Sequence, residues 1–249
     1  MIDAERRLLN VRPSLEIAGV DLGLRAFLLR VLGQVGLGLV VAGAVAALVA
    51  AIPGGREHLV RVQEVAGGKQ FGLTGLGLTL MVSPIAALLA FGTGVQTRLR
   101  STLLYWSFVA GIGASMSVLV LAYTGLSIAT AFAAAAAGFG ACCLYGYTTK
   151  RDLTAAGAFF TTGLVGVIAA MAFNLILGSS GLGFAITVIG VVVFAGLVAH
   201  DLQRLKMIYA QAKSSGTSLE VAANSGALCL FLDFINLFQF MLIAMGQRR

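Results

Sequence analysis

The chain has 249 residues, of which 59% are hydrophobic and only 11% charged, and its mean hydropathy is +0.96. Soluble domains carry about 25% charged residues, so a water-soluble enzyme is excluded, as is a disordered chain, which needs low hydrophobicity. The net charge of +7 does not indicate nucleic acid as a partner, because the Lys and Arg residues lie outside the apolar blocks or at their rims, as in membrane proteins with positive cytosolic loops.

What remains is an integral membrane protein whose partner is the lipid bilayer. A spanning helix takes about 20 residues. A polar tail covers residues 1–24 and a membrane domain covers 25–249. The tail carries Asp3, Glu5, Glu16 and Asp21, so it does not read as a cleavable signal peptide.

The first apolar block runs from Val31 to Ile52 and stops at Pro53-Gly54-Gly55, before a polar stretch from Arg56 to Gln70 that includes His58. The second runs from Leu73 to Val95 and contains Pro84. The third spans Thr102–Tyr123, the fourth Leu126–Thr148, the fifth Ala155–Leu177, the sixth Leu182–Leu202 and the seventh Gly226–Met245. This predicts an all-α, polytopic protein of seven transmembrane helices. The linkers Thr124-Gly125 and Gly178-Ser179-Ser180-Gly181 are so short that blocks three and four are expected to form one antiparallel hairpin, and five and six another.

Glycines fall inside the blocks, at Gly33, Gly36, Gly43, Gly111, Gly113, Gly163 and Gly166, and the run Ala133–Ala137 is similar. In lipid such small residues let helix backbones approach closely. Cys142, Cys143 and Cys229 form neither a disulfide framework nor a zinc spacing and are expected as small core residues. With seven spans, twelve of the 17 Lys and Arg residues fall on the side of the N-terminal tail. The basic side is cytosolic, so the N-terminus is expected inside and the C-terminus outside.

Of ten acidic residues, eight lie in the tail, in loops or at a rim. Asp201 and Asp233 lie in the sixth and seventh blocks. An ionisable residue inside a membrane helix is costly and points to function. Both fall in the cytosolic half on consecutive helices, with the sixth block ending just past Asp201 and Asp233 about 10 Å in from Gly226. Asn236, three residues beyond Asp233, and then Gln239 extend a polar stripe. Two carboxyls in a poorly solvated site do not both ionise cheaply, so the pair is expected to share a proton and titrate as a unit. His200 is an auxiliary candidate, being adjacent to Asp201 and of a type that changes charge near neutral pH. Arg98 and Arg100 either reach an inward carboxylate or snorkel to the interface. Calcium, which prefers carboxylate and carbonyl oxygens, is the natural counter-charge of Asp201 and Asp233.

No catalytic function is expected, and no cofactor. GxSxG, HExxH, P-loop and CxxC motifs are missing. The last block has no lysine for a retinal Schiff base. The contexts His200-Asp201 and Phe231-Leu232-Asp233 differ from the Tyr-Asp and Gly-x-Gly-Asp of intramembrane aspartyl proteases.

Three segments carry a resemblance. The stretch Gly226–Phe238 (GALCLFLDFINLF) resembles the last helix of the Bax inhibitor family, Asp201–Lys206 (DLQRLK) the end of its sixth, and Leu144–Leu153 (LYGYTTKRDL) the connection after its fourth, as in bacterial members. The likeness covers about residues 25–249. It implies seven helices with the last one central, and a proton-sensitive calcium leak whose paired aspartates are Asp201 and Asp233. It places the protein in a bacterial inner membrane. Two departures stand out: His200 replaces the family's usual Tyr, and Gly92 falls near its usual late second-helix arginine. Some bacterial relatives resemble modulators of a membrane protease, which gives a second reading: a non-conducting regulator that binds a membrane protease or other membrane protein.

Overall fold

The computed structural model describes residues 22–52, 60–65, 68–73, 97–216 and 218–247. Six helices long and apolar enough to cross a membrane lie among them. They are α1 (Leu22–Ala51), α2 (Arg98–Ala122), α3 (Gly125–Thr148), α4 (Thr154–Leu177), α5 (Ser180–Ser215) and α6 (Leu219–Met245). The expected helix in the block Leu73–Val95, the tail residues 1–21, His58 and Gly92 lie outside the described residues, apart from Leu73 itself. Leu73 closes a hairpin that the sequence analysis does not predict, in which β1 (Val60–Val65) pairs antiparallel with β2 (Gly68–Leu73), Val60 opposite Leu73 and Val65 opposite Gly68. The alternation Val60, Val62 against Arg61, Gln63 is a strand pattern.

The helices form because long apolar runs are uninterrupted by proline. All three prolines (Pro13, Pro53, Pro84) fall outside the described segments, and α1 ends just before one of them. Thr97, Thr124 and Ser179 cap α2, α3 and α5, each side-chain oxygen accepting a backbone N–H three residues on. Gly178 and Gly216, at φ 63° and 68°, end α4 and α5 in the left-handed region that glycine adopts without strain.

Three helix boundaries correct the sequence reading: α1 already begins at Leu22, nine residues before the predicted Val31 and inside the expected tail. Helix α5 runs to Ser215, well past the predicted end near Leu202, and α6 begins at Leu219 rather than Gly226. At 36 residues α5 is about 54 Å long, against a hydrocarbon core of about 30 Å. Hydropathy marks the part of a helix that sits in lipid, and the polar continuation Gln203–Ser215 carries no such signal. Asp201 is therefore no helix-end residue.

Helix α6 is the centre of the bundle. It packs on α1, α2, α3 and α5, and its Ala223, Ala227, Leu230 and Phe231 are fully buried. Helix α4 is peripheral, packs chiefly on α5, and exposes Phe159, Ile168 and Phe173. The expected pairing of blocks five and six is found in α4 and α5, but the expected hairpin of blocks three and four is not. Helices α2 and α3 join through a two-residue turn yet pack mainly on other helices, α2 on α1 and α3 on α5 and α6. A short turn fixes only the joined ends, and α6 takes the space between the rest.

Helices α1 and α2 run parallel. Tyr105 donates to the Gln34 carbonyl at 2.8 Å, and one further turn or two along both helices Gly113 lies against the Ala42 backbone. A Cβ on Gly113 would sit 2.6 Å from the Ala42 oxygen, so this glycine does let two backbones meet. Gly146 does the same against Ala199. Gly33, Gly36, Gly43 and Gly166 have no such neighbour among the described residues.

Candidate functional site

The site lies where α5 and α6 run side by side. Asp201 is 14 residues before the end of α5 and Asp233 is 14 residues after the start of α6, so the turn between the helices sets them at matching height. Leu205, one turn past Asp201, packs against Gly226, two turns before Asp233, and ties the two helices together near the connection. The two carboxyls, which the sequence analysis singles out, thus lie on helices that pack against each other.

Their surroundings differ. Asp201 is partly exposed and lines a cleft of about 90 Å³ with Arg204, Leu205, Ile208, Ser225, Gly226 and Cys229. Its Oδ1 lies 3.0 Å from His200 Nδ1. Neighbours on a helix point about 100° apart, so this contact does not follow from adjacency. It forms because the His200 ring lies flush against Gly157 of α4, where any side chain would collide with it. Asp233 is only 7% exposed, and its Oδ2 is enclosed without a hydrogen-bond partner among the described residues. Buried polar groups are nearly always paired, so this oxygen needs an explanation. Among the described residues, the groups near the pair include His200 and Arg204 on α5, Cys143 on α3 and Cys229 on α6.

The auxiliary residues are arranged differently from expectation. Asn236 turns its amide N–H back to its own Leu232 carbonyl at 2.8 Å, and Gln239 reaches Met116 of α2. Arg98 forms an ion pair with Glu220 at the head of α6 rather than with an aspartate. Arg100 sits in the first turn of α2, its backbone N–H donated to Thr97. Cys143 is buried as expected and Cys142 half-buried, but Cys229 is exposed at the cleft and is no core residue. Among the described residues no group of three or more His, Cys, Asp and Glu side chains is placed to hold a metal ion.

A second polar cluster escaped the sequence reading. Asn224, fully buried on α6, accepts from Gln34 Nε2 at 2.7 Å and donates to Ser101 and Thr102 at 2.9 and 3.0 Å. The Gln34 Oε1 is enclosed without a partner among the described residues. Asn224 lies two residues before the predicted start of the seventh helix. The signal available was its phase with Leu228 and Phe231, which share its buried face.

The segment Leu144–Leu153 is a docking element for α5. Gln203 accepts from the Leu153 N–H and donates to the Arg151 carbonyl, both at 2.8 Å, and Lys206 donates to the Tyr147 carbonyl while its ammonium lies 5.1 Å from the Tyr147 ring centroid. Asp152 accepts from the Thr154 N–H and hydroxyl, which hold its carboxyl below the usual carboxylate range. Arg98, Lys150, Arg151, Arg204 and Lys206 thus gather at one end of the bundle.

A bundle of long apolar helices around a central helix with an enclosed carboxyl defines a polytopic helical membrane protein. Its family follows from comparison. The sequence profile described as inhibitor of apoptosis-promoting Bax1 matches residues 24–249, and the chain belongs to this, the Bax inhibitor family. It is 44% identical over 232 residues to a Caulobacter vibrioides protein, covering 92% of each chain. It is 40% identical over 233 residues to a Rickettsia prowazekii protein, again covering 92% of each. It is 40% identical over 173 residues to the Escherichia coli inner membrane protein YbhL, covering 68% of this chain and 74% of YbhL.

Proposed function

We propose that the protein is a pH-sensitive calcium leak of a bacterial inner membrane, with Asp201 and Asp233 as its proton-sensitive gate. One observation carries this reading: the Asp233 Oδ2 on the central helix, enclosed and unpartnered among the described residues, stands near the height of Asp201, which lines a cleft. A carboxyl kept for stability alone would be hydrogen-bonded. A carboxyl that takes up and releases a proton or a cation has no permanent partner.

With one proton on the pair, repulsion is relieved and the helices stay together. With both carboxyls ionised they repel, and a divalent cation compensates. Calcium takes 6–8 oxygen ligands when held tightly, so two carboxylates, with Asn236 Oδ1 as a third donor, suit passage rather than storage. His200 orients Asp201. Next to Asp233, Phe234 meets Phe139 edge-on, a contact that the proposal assigns to the closed state.

The proposal includes a seventh span, a cytosolic N-terminus and a periplasmic C-terminus. Because α1 and α2 run parallel, the chain between them returns across the membrane, and the apolar block Leu73–Val95 has the length for it. The gathered basic residues mark the cytosolic end. It assigns the protein no hydrolytic step. The regulator reading gains less support, since the outer face of α4 presents Phe159, Ile168 and Phe173, which suit lipid better than the small residues at which membrane helices associate.

Calcium uptake into proteoliposomes as a function of pH tests the proposal, with wild type, Asp201→Asn and Asp233→Asn compared. Each variant is expected to lose most of the pH dependence. An unchanged pH profile in both would refute the gate, and a wild type that passes no calcium would leave the regulator reading.

A further inference from the structure

Helix α4 carries no ionisable side chain and packs chiefly on α5. Its contact with α5 is a ladder whose bulky partner changes sides from rung to rung. Nearest the basic end of the bundle, Gln203 of α5 is bonded to the Leu153 N–H and the Arg151 carbonyl. One turn on, the His200 ring lies on Gly157 of α4. Next, the Phe160 ring of α4 lies on Gly196 of α5, and then Val193 of α5 approaches Gly163 of α4. The steps are four, three and three residues along α4 and three, four and three along α5, the spacing at which residues share one face of a helix.

The rung at Gly157 is the tightest toward the aspartates. A Cβ there would stand 2.1 Å from His200 Cδ2, 2.3 Å from Nε2 and 2.6 Å from Cγ. Cγ lies on the axis about which the ring turns, so turning the ring in place does not clear it. Only another χ1 rotamer or a shift of α4 makes room. A shift of α4 works against the Gln203 bonds on one side and the Phe160 contact on the other. Another χ1 carries Nδ1 away from Asp201 Oδ1, from which it lies 3.0 Å.

We infer that α4 is the positioning helix of the gate: Gly157 seats the His200 imidazole, the ring's Nδ1–H donates to Asp201 Oδ1, and this bond fixes the Asp201 carboxyl beside α6. Gly157 and His200 are positioning residues, and neither has to touch the passing ion. The charged imidazole donates from Nδ1, and so does one of its two neutral tautomers, which the seat selects. Outer hydrogen bonds of this kind orient the groups that meet a cation. The role given to Asp201 rests on the proposed gate, whereas the seating of the ring does not.

The chain has two histidines, so in a His58→Gln background isotopically labelled histidine reports on His200 alone by magnetic resonance of the full chain in liposomes. At one neutral pH, Nδ1 is expected to be protonated and hydrogen-bonded, with a signal that Asp201→Ala displaces. Gly157→Ala is expected to displace it too. Gly166→Ala, on the same helix with no described atom within 4 Å of the new Cβ, is expected to leave it in place. A Gly157→Ala signal identical to wild type, or an equal displacement by Gly166→Ala, overturns the seat. Stability gives an independent reading. Alanine is otherwise the better helix residue, so a loss at Gly157 is due to the ring. Gly157→Ala is therefore expected to lower the melting temperature in detergent, and to lower it far less where His200→Ala has removed the ring. Equal loss in both backgrounds overturns the seat. If Gly157→Ala alone does not accumulate, recovery of the double variant supports the seat and continued failure counts against it. Calcium uptake tests the consequence. Gly157→Ala and His200→Ala are each expected to shift the half-saturating calcium concentration several-fold, and the double variant no further than His200→Ala alone. A displaced ring signal with unchanged uptake contradicts the positioning role. A wild type that passes no calcium refutes the leak, while the ring signal still decides the seat.

Discussion

The two faces of α6 treat their buried polar residues in opposite ways. Toward α1 and α2, the Asn224 side chain is fully enclosed and bonded at both its oxygen and its nitrogen. Toward α5, Asp233 is almost as deeply enclosed, yet its Oδ2 has no partner among the described residues. A satisfied amide in a membrane interior fastens helices together. An unsatisfied carboxyl weakens the bundle and persists only for what it does. Burial alone does not separate the two residues; hydrogen bonding does.

The hardest test of the fastened face is steric. Gly113→Leu drives a side chain into the Ala42 backbone, which has no rotamer to yield. It is expected to cost about 3 kcal/mol or more, read as a loss of thermal stability in detergent or failure to accumulate in the membrane. A Leu variant as stable as wild type would mean that α1 and α2 are not in the close parallel contact described.

Asn224→Leu comes next. It leaves the Gln34 amide without its acceptor and is expected to cost about 1–3 kcal/mol while leaving the sign of the pH response of flux unchanged. A lost pH response with intact stability would reverse the roles of the two faces.

How far the sequence reveals these faces depends on what each signal measures. The span limits of α3 and α4 and the turns at Thr124 and Gly178 follow from apolar runs broken by cap residues. Asp201 and Asp233 stand out because a charge in an apolar run is conspicuous. Asn224 does not, because it lies at the polar end of its helix, where an amide looks like an ordinary rim residue. The hydropathy of α5 fades after Leu202 although the helix continues, so the matching height of the aspartates is hidden. Which glycine meets a backbone is a matter of helix neighbours, and Gly33 and Gly113 look alike in sequence while only Gly113 lies against another backbone among the described residues.

Smaller effects sharpen the boundary between the faces. Glu220→Gln removes the charge pair with Arg98, whose side chain is 73% exposed. Such pairs contribute roughly 0–1 kcal/mol, so its stability loss should fall well below that of Asn224→Leu and diminish with salt. An equal loss would place the fastening at the rim.

The smallest effect lies away from both faces, at the start of α4. The lowered Asp152 carboxyl stabilises the start of α4 above its unfolded titration range, near about pH 3.9, and this contribution fades as pH falls through the lower folded value. Asp152→Asn should therefore differ slightly from wild type in melting temperature at neutral pH and converge with it in acid. A difference that grows in acid would contradict the Thr154 cap.

The most direct test of the account is Asp233→Leu, measured for both stability and flux on one preparation. Replacing an enclosed, unpartnered carboxyl by an apolar side chain is expected to raise the melting temperature, by an amount on the order of 1 kcal/mol, and to abolish the pH dependence of calcium uptake. A lower melting temperature together with an unchanged pH profile would show that Asp233 is a structural residue like Asn224, and that the two faces of α6 do not differ in kind.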